Sequence, residues 1–277
     1  MVADLRIGEL SRRTGVSPEL LRAWERRYDL LQPERSSGGY RLYSAADERR
    51  VRTMTGGIAR GLSAGEAAKL ALGDGLEAPS TATLVDALVG FDDVGAHAAL
   101  DRLLSSFTVE SVIGDSVLPA LRELGERWQR GEITIGQEHF ASNLLRGRML
   151  GLARGWDRGS GPRALLACPS GEQHDLSLIA FGLALREHGW RITYLGADTP
   201  LATIDETATS LHPELILIAA ADASRLSGHA GALKNLAARF PLALAGAGAD
   251  EALAKRIGAR HLSMSPVDAA AIVAAQN

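Results

Sequence analysis

Arg163-Ala-Leu-Leu-Ala-Cys-Pro-Ser-Gly-Glu-Gln-His-Asp-Leu-Ser177 is the stretch around which the chain is organised. Its apolar first half, 163–168, reads as a buried parallel strand, because such a strand is covered on both faces and polar alternation disappears. From Asp175 to Glu187 the apolar spacing turns helical, and His188-Gly189 supplies the stop. His174 lies between the two, on the kind of strand-to-helix loop where open α/β sheets bind ligands. An imidazole in that position is either a surface side chain without a role or an axial ligand for a transition metal.

Outward from this stretch, 191–196, 215–219, 241–246 and 260–262 read as four further strands. Helical stretches over 201–210 and 226–239 separate them. Five strands alternating with helices predict a doubly wound parallel sheet of flavodoxin-like order. In that order the first and third strands flank the switch point, which brings the loops at His174 and 220–224 to one crevice.

The loop Glu172-Gln-His174-Asp-Leu-Ser177 and the run Tyr194-Leu-Gly-Ala-Asp-Thr-Pro200 resemble the cobalamin-binding domain, whose signature is Asp/Glu-x-His-x-x-Gly. The resemblance implies that His174 ligates cobalt from the lower face after displacing the dimethylbenzimidazole base. That base would then lie in a slot between the strands. A ligating histidine needs its second nitrogen fixed, and Glu172 or Asp175 is available to fix it. Three slot positions depart from the family. Ser177 stands at its glycine, Ala219-Ala220-Ala221 at its Ser-x-Leu, and Gly246-Ala247 at its Gly-Gly. Weaker binding of the nucleotide tail is the expectation.

With 277 residues the chain is long enough for two or three domains. A composition that is 46% hydrophobic and 23% charged is that of a soluble globular protein. Neither an 18-residue apolar run nor a signal-like N-terminus is present, so a cytoplasmic protein without a membrane partner is expected. The single Cys168 permits no internal disulfide, which suits a reducing compartment. The net charge of −3 conceals an asymmetry. Residues 1–70 carry 13 Lys/Arg against 9 Asp/Glu, and the remainder 17 against 24. Only the basic head is suited to an anionic partner.

In that head, 7–15 reads as a short helix ended by Gly15, and Ser17-Pro18 opens a second, with serine as N-cap and proline in the first turn. Two short helices across a glycine turn form a helix-turn-helix. The second helix, 19–28, would enter the major groove with Arg22 and Arg26, and Leu20, Leu21 and Trp24 would face the core. The glycine hairpin 35–43 follows as a wing. Arg13, Arg22, Arg26, Arg35, Tyr40, Arg41 and Tyr43 are the candidate DNA contacts, since arginine and tyrosine suit phosphates and groove edges. The motifs Ile7-Gly-Glu-Leu, Leu21-Arg-Ala-Trp-Glu, Pro33-x-Arg35, Gly39-Tyr-Arg-Leu-Tyr43 and Asp47 resemble the MerR family of winged-helix regulators. Metal-sensing relatives carry cysteines beside the dimerisation helix, and none occurs here.

The breaker-rich Gly73-Asp-Gly-Leu-Glu-Ala-Pro-Ser80 reads as a linker. Beyond it, 81–90, 92–107, 108–130 and 135–154 are helical in pattern, and a four-helix bundle is their natural packing. Trp128 and the pair Glu138-His139 bring a flat ring and polar groups to one bundle end, an arrangement able to cap a planar ligand. The order of parts and the Trp-x9-Glu-His spacing are similar to light-sensing cobalamin regulators of the CarH/LitR type. That resemblance implies a MerR-type winged-helix domain (1–73), a four-helix bundle (81–157) and an α/β cobalamin-binding domain (162–277). It also implies adenosylcobalamin as cofactor, with Trp128 shielding the adenosyl group and Glu138 and His139 helping to hold it. Binding of operator DNA by a self-associated dimer or tetramer, with release on photolysis, follows from the same resemblance. Photosensing members place histidine directly after the tryptophan, where this chain has Gln129. An amide is a poor cobalt ligand, so altered or absent light adaptation is expected.

A non-enzymatic transcription regulator, a repressor by resemblance, is therefore the expected function. Two alternatives are a regulator whose C-terminal domains bind another ligand or none, and a corrinoid carrier for methyl transfer. The DNA-binding head argues against the carrier. A nicotinamide enzyme is disfavoured because no Gly-x-Gly-x-x-Gly follows the first strand. Ser170, His174 and Asp175 share one short loop and are poorly disposed to converge as a hydrolytic set.

Overall fold

The computed structural model describes residues 5–35, 39–59, 61–72 and 81–276. The chain forms two compact units, one holding residues up to Leu84 together with Val94–Val112, the other holding Val85–Asp93 and everything from Ile113. The expected linker 73–80 lies outside the described residues.

In the first unit, α1 (Ile7–Thr14) ends on Gly15, whose φ of 73° is left-handed and free of strain only without a β-carbon. Ser17 then caps α2 (Pro18–Tyr28), its hydroxyl accepting the Leu20 N–H at 3.3 Å. β1 (Glu34–Arg35) and β2 (Arg41–Leu42) pair antiparallel as the wing. α3 (Ala45–Ala59) and α4 (Ala64–Leu72) follow. The buried Asp47 holds the wing in place by accepting the Gln32 N–H at 3.0 Å and the Ser44 N–H at 2.8 Å. Leu10, Leu21, Trp24, Tyr43 and Met54 build the core. Leu20, expected inside, is 44% exposed. Leu21 and Trp24 occupy the buried stripe three residues apart, and Leu20 lies about 100° away from Leu21 around the helix.

α5 (Thr81–Val89) and α6 (Asp93–Ser106) correspond to the first two expected helical segments. The third divides into α7 (Val109–Val112), a π turn (Ile113–Val117) and α8 (Leu118–Gln129). Pro119 in the first turn of α8 has no N–H to return to the preceding turn, so a regular helix cannot pass through it. α9 (Ile135–Leu152) opens on a capping box. Gln137 N–H donates to the Thr134 hydroxyl at 3.3 Å, and the Gln137 side chain accepts the Thr134 N–H at 2.8 Å.

The second unit carries the sheet. Its elements are β3 (Arg163–Pro169), α10 (Leu176–Glu187), β4 (Arg191–Thr199), α11 (Leu201–Leu211), β5 (Leu215–Ala219), α12 (Ala223–Ser227), α13 (Ala230–Ala237), β6 (Leu242–Ala245), α14 (Glu251–Ile257), β7 (Arg260–Leu262) and α15 (Pro266–Ala274). All neighbours are parallel in the order β4-β3-β5-β6-β7. The helix expected over 226–239 is two, α12 and α13, parted at Gly228-His229, where glycine's low helix propensity leaves a weak point. β3 and β5 are buried along almost their whole length, as the apolar runs require. The topological switch lies between them, and the His174 loop leaves the C-terminal end of β3.

Candidate functional site

The loop after β3 is built around a buried carboxylate. Glu172 is 2% exposed, and its Oε1 faces His174 Nδ1 at 2.6 Å and accepts the His174 N–H at 2.9 Å. Its Oε2 accepts the Ala221 N–H at 2.7 Å and the Asp222 N–H at 3.3 Å, joining the loops after β3 and β5. Burial alone pushes the Glu172 carboxyl up, but these hydrogen bonds from His174, Ala221 and Asp222 outweigh it and hold it below its ordinary value. An ionised Glu172 makes Nδ1 the proton carrier, leaving Nε2 as the free lone pair on a side chain 80% exposed. Asp198 secures the loop from β4, accepting the Gly171 N–H at 2.7 Å while its own N–H donates to Glu172 O at 2.9 Å.

Of the two carboxylates available to fix His174, Glu172 does so and Asp175 serves another purpose. Asp175 is 2% exposed and receives Arg146 of α9 through Nε at 3.0 and 3.1 Å and Nη2 at 2.7 Å. The Tyr194 hydroxyl donates to the same carboxylate at 2.5 Å. Burial, then this hydrogen bond, push the Tyr194 phenol above its ordinary value. Trp156 packs edge-on against the Tyr194 ring. Arg146 carries no sequence signal of its own, because its partner lies 29 residues away.

A cavity of about 500 Å³ opens beside the loop, within the roughly 300–1,000 Å³ range of small-molecule sites. Ser177, Gly246 and Ala247 line it, so the side chains added at two family glycine positions leave it open. Ala219 lines it as well, whereas Ala220 belongs to the opposite-face core. Successive residues of a strand point to opposite faces, which moves the expected slot position by one residue. Gly246 has a φ of 87°, and a β-carbon there would come 2.3 Å from the Ala220 carbonyl oxygen. Arg122 of α8 and His261 of β7, unmarked in the sequence, also line the cavity.

The expected cap residues lie at the facing ends of two helices. Trp128, in the last turn of α8, is 45% exposed for so large a ring. Glu138, in the first turn of α9, accepts the Ser142 hydroxyl at 2.6 Å. His139 is mostly exposed, its Nε2 3.6 Å from Glu138. No group of three or more His, Cys, Asp or Glu able to hold a metal ion occurs among the described residues. A single oriented imidazole therefore fits a metal that arrives already coordinated, as in a corrin ring, rather than a bare ion.

On the first unit, Arg22, Arg26 and Arg35 are exposed and make no ion pair among the described residues. Tyr40 is 63% exposed beneath the Arg6 guanidinium. Arg13 pairs with Glu9 at 3.0 Å and Glu48 at 3.4 Å, and Arg41 with Glu25 at 3.1 Å. Tyr43, expected as a DNA contact, is fully buried, and its hydroxyl donates to Glu25 at 3.0 Å. It pairs with Leu5 by a β-bridge, which turns its ring into the core.

Residues 5–73 match the MerR HTH family regulatory proteins and residues 81–150 the B12 binding domain. The HTH-type transcriptional repressor CarA of Myxococcus xanthus is 37% identical over 266 residues, covering 90% of this chain and 88% of the relative. CarH, an HTH-type transcriptional repressor of the same organism, is 31% identical over 229 residues, covering 76% and 77%. Among solved structures, the monomethylamine corrinoid protein of Methanosarcina barkeri superposes with a TM-score of 0.59 at 18% identity. That superposition covers 70% of this chain and 96% of the other, and it speaks for the fold alone.

Proposed function

The chain belongs to the family of MerR-type transcription regulators that carry a B12-binding domain, and from that premise we infer that it is an operator-binding repressor controlled by adenosylcobalamin. The observation that carries this reading is His174, presented with Nε2 free while the buried Glu172 holds Nδ1. The adjoining cavity supports accommodation of the nucleotide tail despite Ser177 and Ala247.

When bound, the cofactor would supply a cobalt ion able to take an imidazole nitrogen and, in its adenosyl form, a cobalt–carbon bond that light can break. His174 would hold the cobalt through Nε2. Glu172 keeps the proton on Nδ1 and the ring oriented, as a carboxylate partner does for a ligating histidine. Trp128 would shield the bound group from water, with Glu138 and His139 as polar contacts beside it. Arg146 and Asp175 couple α9 to the loop, so occupancy of the site biases the packing of the helices that carry the cap. The basic head then meets DNA as a self-associated pair or tetramer on a two-fold operator. Gln129 replaces the histidine expected to capture cobalt, so light acts weakly or not at all through this residue.

The test is a visible spectrum of the protein mixed with adenosylcobalamin in the dark, desalted, then illuminated, with operator binding measured before and after. Retained corrinoid, lost in His174→Ala, with cobalamin-dependent operator binding is the expected result. Bis-imidazole bands after illumination would overturn the assignment to Gln129. A colourless protein after desalting would favour the regulator with a different ligand.

A further inference from the structure

The cavity has a chemical asymmetry that His174 does not explain. Its floor is apolar, formed by Leu178 and Phe181 of α10 and Leu217 of β5. Ser177 and His261 add polar groups to its wall. Arg122, reaching in from α8, is the one formally charged side chain lining it among the described residues, and no carboxylate lines it. Arg122 is exposed and makes no ion pair among the described residues, so its charge is available. An apolar recess beside one uncompensated guanidinium suits a heteroaromatic group joined to a single negative charge.

We propose that Arg122 is a specificity-determining residue that reads the phosphodiester of the cobalamin nucleotide tail, so that the protein selects complete corrinoids over tail-less ones. This rests on the cobalamin reading above. Arg122 stands on α8, outside the strand-to-helix loops that carry the family's signature. It gives that helix a share in the lower side of the ligand as well as in the Trp128 cap. A phosphodiester carries one negative charge and two free oxygens, which a guanidinium can meet with two parallel N–H donors. The departures Ser177 and Ala247 bring no charged group to the recess, and Arg122 supplies one.

Equilibrium dialysis of the full chain against hydroxocobalamin and against diaquacobinamide, which lacks the tail, tests the proposal. Wild type is expected to prefer hydroxocobalamin. Arg122→Met should weaken hydroxocobalamin about tenfold, the scale of a charge-assisted hydrogen bond, and leave diaquacobinamide unchanged. Arg122→Lys should recover part of the loss, and raised salt should weaken wild type more than Arg122→Met. Because Arg122 is exposed, its truncation should leave the thermal midpoint unchanged, which separates binding from folding. Equal retention of both corrinoids by wild type, or equal weakening of both by Arg122→Met, would overturn the proposal while the cofactor reading stands. Retention of neither corrinoid by wild type would overturn the cofactor reading and this proposal with it.

Discussion

Tyr43 shows what a single buried group contributes. Burial first, then its hydrogen bond to Glu25, push its phenol up to about 12 from the ordinary 10.0. Between those values the unfolded chain has released a proton that the folded chain retains. The contribution of Tyr43 is therefore complete below about pH 10 and lost as pH rises toward 12. Tyr43→Phe should flatten this alkaline loss and cost about 1 kcal/mol at neutral pH, read by urea denaturation at the two pH values. Operator affinity should be unchanged, since the hydroxyl faces Glu25. A folded variant with weakened operator binding would return Tyr43 to the contact set. Glu172 makes the complementary case, with the His174 ring nitrogen and three backbone N–H groups around one carboxylate. Glu172→Gln turns an amide NH₂ toward donors, and about 10–100-fold weaker cobalamin affinity is expected, with a lower thermal midpoint. Unchanged affinity in a titration would mean that packing, and not the carboxylate, orients His174.

At the scale of elements, α9 matters most. Its N-terminus is fixed by the Thr134–Gln137 box, and the Gln137 amide also donates to the Val89 carbonyl at 2.8 Å. Two turns on, Arg146 reaches the buried Asp175, so one helix carries both the Glu138-His139 pair and the tie to the His174 loop. Arg146→Met leaves Asp175 with the Tyr194 hydroxyl as its remaining side-chain donor. Since the Arg146 side chain is 42% exposed, the cost is discounted to about 1–2 kcal/mol from that of a fully buried pair. A double-mutant cycle with Asp175→Asn should show coupling, and amide exchange across 170–176 should speed up in Arg146→Met. Additive effects with unchanged exchange would mean that α9 and the loop are not linked through this pair.

Over the whole molecule, charge is partitioned by function. The head carries the excess of Lys/Arg and the remainder the excess of Asp/Glu, which confines DNA to one unit. Within the head, Arg13 and Arg41 are engaged by glutamates, and Arg22, Arg26 and Arg35 are not. Arg26→Met should therefore reduce the slope of log affinity against log salt by about 1 if it meets a phosphate, or relax base preference if it meets a base edge. Arg13→Met should change the slope less, because its charge is already balanced by Glu9 and Glu48. Gel-shift titrations at several salt concentrations, on the operator and on base-substituted sites, decide between them, and equal slopes with unchanged base preference would remove Arg26 from the interface.

The sequence by itself determined the features that are encoded over a few neighbouring residues. Gly15 and Ser17-Pro18 set the turn between α1 and α2, because a left-handed stop and an N-cap are local geometry. The apolar runs 163–168 and 215–219 announced buried parallel strands, and Glu172-x-His174 announced the loop between β3 and α10, for the same reason. Only the tertiary structure decided which partners those residues take. Glu172, not Asp175, fixes His174, because only Glu172 also lies within reach of the β5 loop amides. Ala219, not Ala220, faces the cavity, because strand alternation is set by the sheet and not by composition. Tyr43 is core and Leu20 is surface, because burial depends on which face meets α3 and the wing. Arg146 carries no pattern at all, since its partner Asp175 comes within reach only once α9 packs beside the sheet, and Arg122 lines the cavity only once α8 does the same.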